Sequence, residues 1–291
     1  MTCTDFRTTF TSPAPPFGLN PEQGALLLIG SCFTDEVGER LRACGYPCSV
    51  NPCGVQYNPA SIASLLRAAL SGELAEELFF EHEGRWRCWL MPTRFSAPLH
   101  QEAKELCSKA LGELREALRG AEALIVTLGT AWVYTHLAPG FEGVVSNCHK
   151  VPAPRFSRSR LSVEQIAAEW RDLLRELREF NPALKVIFTV SPIRHFKDGA
   201  RENTLSKATL ALAIDSLMDE EAVDYFPAYE LLMDDLRDYR FYAPDMLHPS
   251  PVAVDYIWQH FRDRYFSATL RDDLTARART LRRAAHRPII H

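Results

Sequence analysis

Three side chains in this sequence are of the types needed for nucleophilic acyl chemistry: Ser31, Asp245 and His248. A serine hydroxyl is a weak nucleophile until a base takes its proton, and an imidazole does this best when a carboxylate fixes its tautomer. Asp245 and His248 lie three residues apart in Tyr242-Ala243-Pro244-Asp245-Met246-Leu247-His248-Pro249-Ser250, a Pro-flanked stretch in which one compact turn brings carboxylate to imidazole. Ser31 ends an apolar run, Ala25-Leu26-Leu27-Leu28-Ile29-Gly30, just ahead of an amphipathic segment carrying Val37 and Leu41. A plainer role competes with chemistry here. Serine after a glycine turn is a good helix N-cap, and Asp245 and His248 are then ordinary loop residues at a helix entry.

Bringing these residues together requires a sheet. The run at 25–30 reads as a buried parallel strand followed at once by a helix to about Cys44, which projects Ser31 from the strand's carboxyl end beside helix N–H groups that favour developing negative charge. Further strands are expected at 46–50, 123–130, 186–190 and 222–226. Helical spacing falls between them: from Pro59, with Asn58 as cap; from about Leu99 to Arg119; after Ser162, which forms a capping box with Gln165; from Arg201 to Glu221; through Tyr229, Leu232 and Leu236; and after Ser250-Pro251. The predicted class is α/β, a three-layer α/β/α sandwich with a central, mostly parallel sheet of about five strands. A β-hairpin is inserted at about 78–96, and its aromatic residues either wall a pocket or cover the core. Residues 135–160 read as a long Pro-rich, basic loop of the lid or binding type. A single domain spans 1–265, with residues 1–24 wrapping its surface before the first strand and an Arg-rich tail, 266–291, beyond it.

The order Ser, Asp-x-x-His resembles the SGNH, or GDSL-like, hydrolases. More closely, the chain resembles the GSCFA family: Gly30-Ser31-Cys32-Phe33 supplies all but the last letter, where Thr34 replaces alanine. Asn51-Pro52-Cys53-Gly54, Tyr57-Asn58-Pro59, Thr127-Leu128-Gly129-Thr130-Ala131-Trp132, Asn147-Cys148-His149-Lys150 and Ser191-Pro192-Ile193-Arg194-His195 extend the match over roughly residues 5–265. The resemblance implies an esterase with Ser31 as nucleophile, His248 as base and Asp245 as its support. By analogy with the superfamily, an oxyanion hole is expected from the Ser31 N–H and from Gly54, where a glycine lets the backbone approach closely and a plain turn glycine is the competing reading. SGNH enzymes carry an asparagine in the loop after the next strand. Here Thr130 stands instead, so the third donor is either Thr130 or Asn147 folding back from the long loop.

His149 and His195 are candidate substrate contacts, with Lys150, Asn203 and Lys207 as further lining residues. His195 also rivals His248 as base, although no carboxylate follows it at the spacing Asp245 offers; Asp198 is near in sequence.

A formal net charge of -4 and a pI near 6.2 leave no electrostatic footprint for nucleic acid or an anionic membrane. No stretch is long enough to span a bilayer, and Met1–Phe6 lacks the pattern of a secretory leader, so a cytoplasmic protein is expected. The eight cysteines are scattered, and Cys44, Cys48 and Cys53 form no standard zinc spacing; neither metal nor cofactor is called for, and reduced thiols are expected. The expected activity is hydrolysis of a small acyl ester of a carbohydrate or other hydroxylated molecule through an acyl-serine. Two alternatives keep the same residues in view: an O-acyltransferase built on the same triad, and a non-catalytic binding module that retains the fold.

Overall fold

The protein is described from a computed structural model covering residues 12–137 and 140–285. In chain order its elements are β1 (Ala25–Gly30), α1 (Cys32–Ala43), β2 (Cys48–Val50), α2 (Pro59–Ser71), β3 (Phe79–His82), β4 (Arg85–Cys88) and α3 (His100–Arg119). There follow β5 (Ala121–Leu128), β6 (Trp132–His136), β7 (Gly143–Val145), β8 (Phe156–Arg160), α4 (Val163–Phe180), β9 (Lys185–Val190), α5 (Gly199–Asp215) and β10 (Val223–Tyr225). A short turn, α6 (Ala228–Glu230), continues as a π-helix over Leu231–Leu236 and precedes α7 (Pro251–Tyr265) and α8 (Ala268–Ala285).

Five strands form one fully parallel sheet in the order β10-β9-β5-β1-β2. From β1 the chain steps outward to β2, then returns past β1 to β5 and moves outward the other way. That reversal opens a crevice beyond the carboxyl ends of β1 and β5, the place where open α/β sheets hold ligands. Ser31 follows β1 and Gly129-Thr130 follows β5, so the topology alone sets both beside the crevice.

Both faces of the sheet are buried, which is why its strands read as continuous apolar runs. Side chains alternate along β1: Leu27 and Ile29 join Trp170, Leu173 and Phe188 on one face, while Leu26 and Leu28 join Phe33, Leu41, Ile257 and Phe261 on the other. The α/β/α sandwich is thus the observed architecture. The helix starts are also built as their residue types predict, with Asn58 accepting from Ser61 N, Ser162 and Gln165 closing a reciprocal capping box, and Ser250 accepting from Ala253 N.

The insertion at 78–96 is an antiparallel hairpin of β3 and β4, and it covers the core: Phe79, Cys88, Trp89 and Leu90 are buried, with Phe80 stacked on Trp89. The segment 135–160 departs from its expected looped form. β6 pairs antiparallel with both β7 and β8, making a three-stranded sheet. Its strands are three to five residues long, and β8 is polar after its first residue, Phe156-Ser157-Arg158-Ser159-Arg160, so the alternation carries almost no hydrophobic contrast. The helix expected at 201–221 ends at Asp215, and the start of the Arg-rich tail is α8, whose Leu274 is buried in the core cluster containing Trp258 and Cys44. The expected wrapping by residues 1–24 falls in part on 1–11, which lie outside the described residues, as do 286–291 of the tail.

Candidate active site

The turn after β1 is made by close packing. An ideal Cβ on Gly30 would lie 2.3 Å from the Thr127 carbonyl oxygen of β5, so only glycine fits there. Asn51, at φ +45°, clamps the same turn: its Oδ1 accepts from Gly30 N at 2.9 Å and its Nδ2 donates to Asp35 Oδ1 in the first turn of α1 at 2.8 Å. Ser31 occupies the N-cap position of α1 with extended backbone, yet its side chain makes no capping bond. Instead Oγ donates to Ser191 Oγ at 3.0 Å, and both serines are fully buried.

The Asp245/His248 turn is self-contained. Asp245 Oδ1 accepts from the backbone N–H groups of Leu247 and His248 at 2.9 and 3.0 Å, and Oδ2 accepts from His248 Nδ1 at 2.5 Å. These bonds, the two backbone ones foremost, hold the Asp245 carboxyl down at about 2. With Nδ1 committed as a donor, the neutral imidazole keeps Nε2 as its proton acceptor. Backbone bonds from Ala243 N to His248 O and from Ser250 N to Phe241 O close the turn, whose two side chains are about half exposed.

His195 connects the two parts. Its backbone N–H donates to Asn203 Oδ1 at 2.9 Å, and its ring meets the edge of Tyr57, centroids 5.9 Å apart. The Tyr57 hydroxyl in turn lies 3.9 Å from Cys32 Sγ, next to Ser31. Burial first, and then the nearby charges of Lys207 and His248, push His195 down to about 4, so it is neutral at pH 7 and a weak base. Ser31 and Ser191 therefore meet beyond the carboxyl ends of β1 and β9, and His195, on the same loop as Ser191, lies within range of the His248 charge, although no hydrogen bond joins Ser31 to His248. Lys207, buried under this edge, donates from Nζ to Gly129 O at 2.8 Å and to Ser191 O at 2.7 Å, and burial pushes it down to about 7. It ties the loop after β5 to the loop after β9.

The expected oxyanion donors are turned inward. Ser31 N donates to Thr127 O at 3.2 Å, Gly54 N to Asn51 O at 2.8 Å, and Thr130 N to Tyr57 O at 3.0 Å. The Thr130 hydroxyl shares a hydrogen bond with Ser206 Oγ and accepts from Trp132 N. Asn147 spends its Oδ1 on His149 N at 2.7 Å, leaving its Nδ2 without a partner among the described residues. What stays open is the start of α1, the helix N-terminus expected to favour negative charge beside Ser31. Cys32 and Phe33, in the first turn, carry N–H groups with no intrahelical acceptor.

His149 is not where a substrate contact was expected. The turn made by Asn147 drives it, at φ +50°, beneath the hairpin, where it is 2% exposed. Nε2 donates to Cys88 O at 2.9 Å, Nδ1 accepts from Thr93 Oγ1 at 3.2 Å, and burial pushes the ring down to about 4. A groove of about 580 Å³ lies beside it between Phe80, Trp89, Phe141 and Arg155, and none of Ser31, His195, Asp245 or His248 lines that groove. Among the described residues no group of three or more His, Cys, Asp or Glu is placed to hold a metal, and no helix is long and apolar enough to cross a membrane.

Residues 25–261 match the model of a family described as the GSCFA family. No curated protein matches the sequence. Among solved structures, a carbohydrate esterase family 3 protein from Talaromyces cellulolyticus aligns over 83% of this chain and 95% of its own at 11% identity, with a TM-score of 0.35. A mutant acetyl esterase with acetate ion aligns over 81% and 93% at 10% identity and TM-score 0.39. An acetyl xylan esterase, Est2A, from the rumen bacterium Butyrivibrio proteoclasticus aligns over 88% of this chain and 66% of its own at 13% identity and TM-score 0.39.

Proposed function

We propose, from the premise that the chain belongs to the GSCFA family, that it is a serine esterase in which Ser31 attacks the ester carbonyl, His248 takes the proton and Asp245 supports the imidazolium. One observation carries this reading. Asp245 is bound to His248 Nδ1, so that Nε2 is left as acceptor in a turn whose charge reaches His195, and Ser31 has a hydroxyl not spent on capping its helix. Substrate binding then replaces the Ser31–Ser191 bond with one to His248; such bonds are often completed only in the complex. The tetrahedral oxyanion is met by the free N–H groups opening α1, with the Asn147 amide as a second donor, and water releases the acyl group. The substrate in this reading is a small acyl ester of a hydroxylated molecule, a carbohydrate ester being one such class. A sugar hydroxyl in place of water makes the same acyl-enzyme a transferase.

The full burial of Ser31 favours a second reading, a non-catalytic module that keeps the fold and uses Ser31 to join β1 to β9. Labelling with a serine-directed fluorophosphonate separates the two. The esterase reading expects modification at Ser31 that is lost in Ser31→Ala and strongly slowed in His248→Ala. Folded protein that does not label at Ser31 overturns it.

A further inference from the structure

We propose that Arg194 anchors an anionic group, a carboxylate or phosphate, on the ester that this site takes. The inference rests on the esterase reading for its substrate, and on Arg194's own surroundings for its charge.

Arg194 lies between two residues already placed at the site, three beyond Ser191, whose Oγ holds Ser31, and one before His195, which lies within range of the His248 charge. Its own charge reaches Lys207, Tyr229 and Tyr242, and it pulls both half-buried phenols down against the effect of burial. Tyr242 pairs with Pro249 across the base of the Asp245/His248 turn. The guanidinium therefore lies within electrostatic reach of the chain that leads into the acid–base pair.

It has no counter-ion there. Arg158, Arg160, Arg178 and Arg264 each reach a carboxylate, at Asp198, Glu202, Glu220 and Asp224. No such pair exists for Arg194 among the described residues, and its Nε is sealed from solvent without an acceptor. The acidic groups of the segment around Tyr229 are engaged elsewhere: Glu230 accepts from the Tyr225 hydroxyl, Asp234 lies by Arg237 and Asp235 accepts from the Tyr256 hydroxyl. Lys207, which its charge reaches, is committed to two carbonyls. What Arg194 does have is a ring to lie against, Phe196, at 4.8 Å.

A planar guanidinium held against an aromatic ring, with no anion beside it and its Nη groups not among the sealed atoms, suits bidentate capture of an oxyanion. An unpaired, partly buried charge is unfavourable by itself, and an incoming carboxylate or phosphate relieves it.

The test compares Arg194→Gln and Arg194→Lys with the unmodified protein on matched esters. One pair carries its charge in the acyl group, 4-nitrophenyl hemisuccinate against 4-nitrophenyl butyrate; the other in the alcohol, 4-acetoxybenzoate against phenyl acetate. The expected result is that the anionic-to-neutral ratio of kcat/KM exceeds one for at least one pair, falls at least tenfold in Arg194→Gln mainly through KM, and is partly kept in Arg194→Lys. A ratio unmoved by Arg194→Gln overturns the proposal. Calorimetry with inorganic phosphate and with acetate, on Ser31→Ala and on Ser31→Ala/Arg194→Gln, judges the anion site apart from turnover and tells the two anions apart. Binding lost with Arg194 supports the site even if fluorophosphonate labelling defeats the esterase reading, and absence of binding by either anion overturns it.

Discussion

Ser31 Oγ donates its proton to Ser191 Oγ at 3.0 Å, across the gap between the first and fourth strands of the parallel sheet to appear in sequence. The bond fixes the hydroxyl's direction in the resting protein and ties the turn after β1 to the loop after β9. Replacing Ser191 by alanine leaves a buried donor without an acceptor and frees the Ser31 rotamer. Turnover of a simple ester is expected to fall about tenfold in Ser191→Ala, since small displacements of a reacting group are costly, while fluorophosphonate still modifies Ser31. Unchanged turnover refutes a positioning role for Ser191.

Asp245→Asn probes the other half of the site. The substituted amide cannot hold His248 in the required tautomer, and kcat is expected to drop by roughly 10²–10⁴. Because the carboxyl is held at about 2, Asp245 is ionised throughout pH 4–8 and its protonation does not contribute to an acid limb there. Both side chains are half exposed, so the melting temperature should move little. A large loss of stability in this variant contradicts a role confined to chemistry.

His149 makes a prediction about stability and pH. Its ring is neutral in the folded protein down to about 4, whereas in the unfolded chain it takes a proton near 6.5. The unfolded state thus binds more protons between those values, so stability is fully present above about pH 6.5, falls as pH drops, and levels off below 4. Between pH 8 and pH 5 the loss from this residue is about 2 kcal/mol. Urea unfolding at the two values should show it, and His149→Gln should reduce the difference by that amount, leaving the part due to His195, which is also held down to about 4. An equal pH slope in the variant counts against the assignment.

Lys207 bridges Gly129 O and Ser191 O with a buried amino group. Lys207→Met leaves two carbonyls without a donor, at about 1–3 kcal/mol each. If the lysine sets the distance between the two loops, kcat should fall in the folded variant by more than KM rises. Equal kinetics in a destabilised but folded Lys207→Met would reduce it to a structural role.

The sheet was legible because its strands are buried on both faces: Leu26 to Ile29, Leu124 to Leu128 and Val186 to Val190 are apolar at every position except the threonines, and each is bounded by a glycine, serine or helix signal. The turn chemistry of Asp245 and His248 was legible for a similar reason, being local. What sequence could not supply was the partner of each polar group across the fold. Gly54, Thr130 and Ser31 have the right types and the right edge, yet their N–H groups are taken by Asn51, Tyr57 and Thr127, which are set by packing around the site. His149 lay in a run that looked exposed and basic, and it is the antiparallel sheet and hairpin around it that bury it. The weak alternation of β8 hid that sheet.

The two outermost strands of the parallel sheet, β2 and β10, are only three residues long. An edge strand offers unpaired N–H and C=O groups as a template on which another chain can add, and a long flat edge invites aggregation. Here the outer rows are too short to recruit much of a partner strand, and on the β10 side Asp224 is bound up with Arg264 and Tyr265. The sheet that opens a crevice at its centre thus offers little backbone at either border for edge-to-edge pairing.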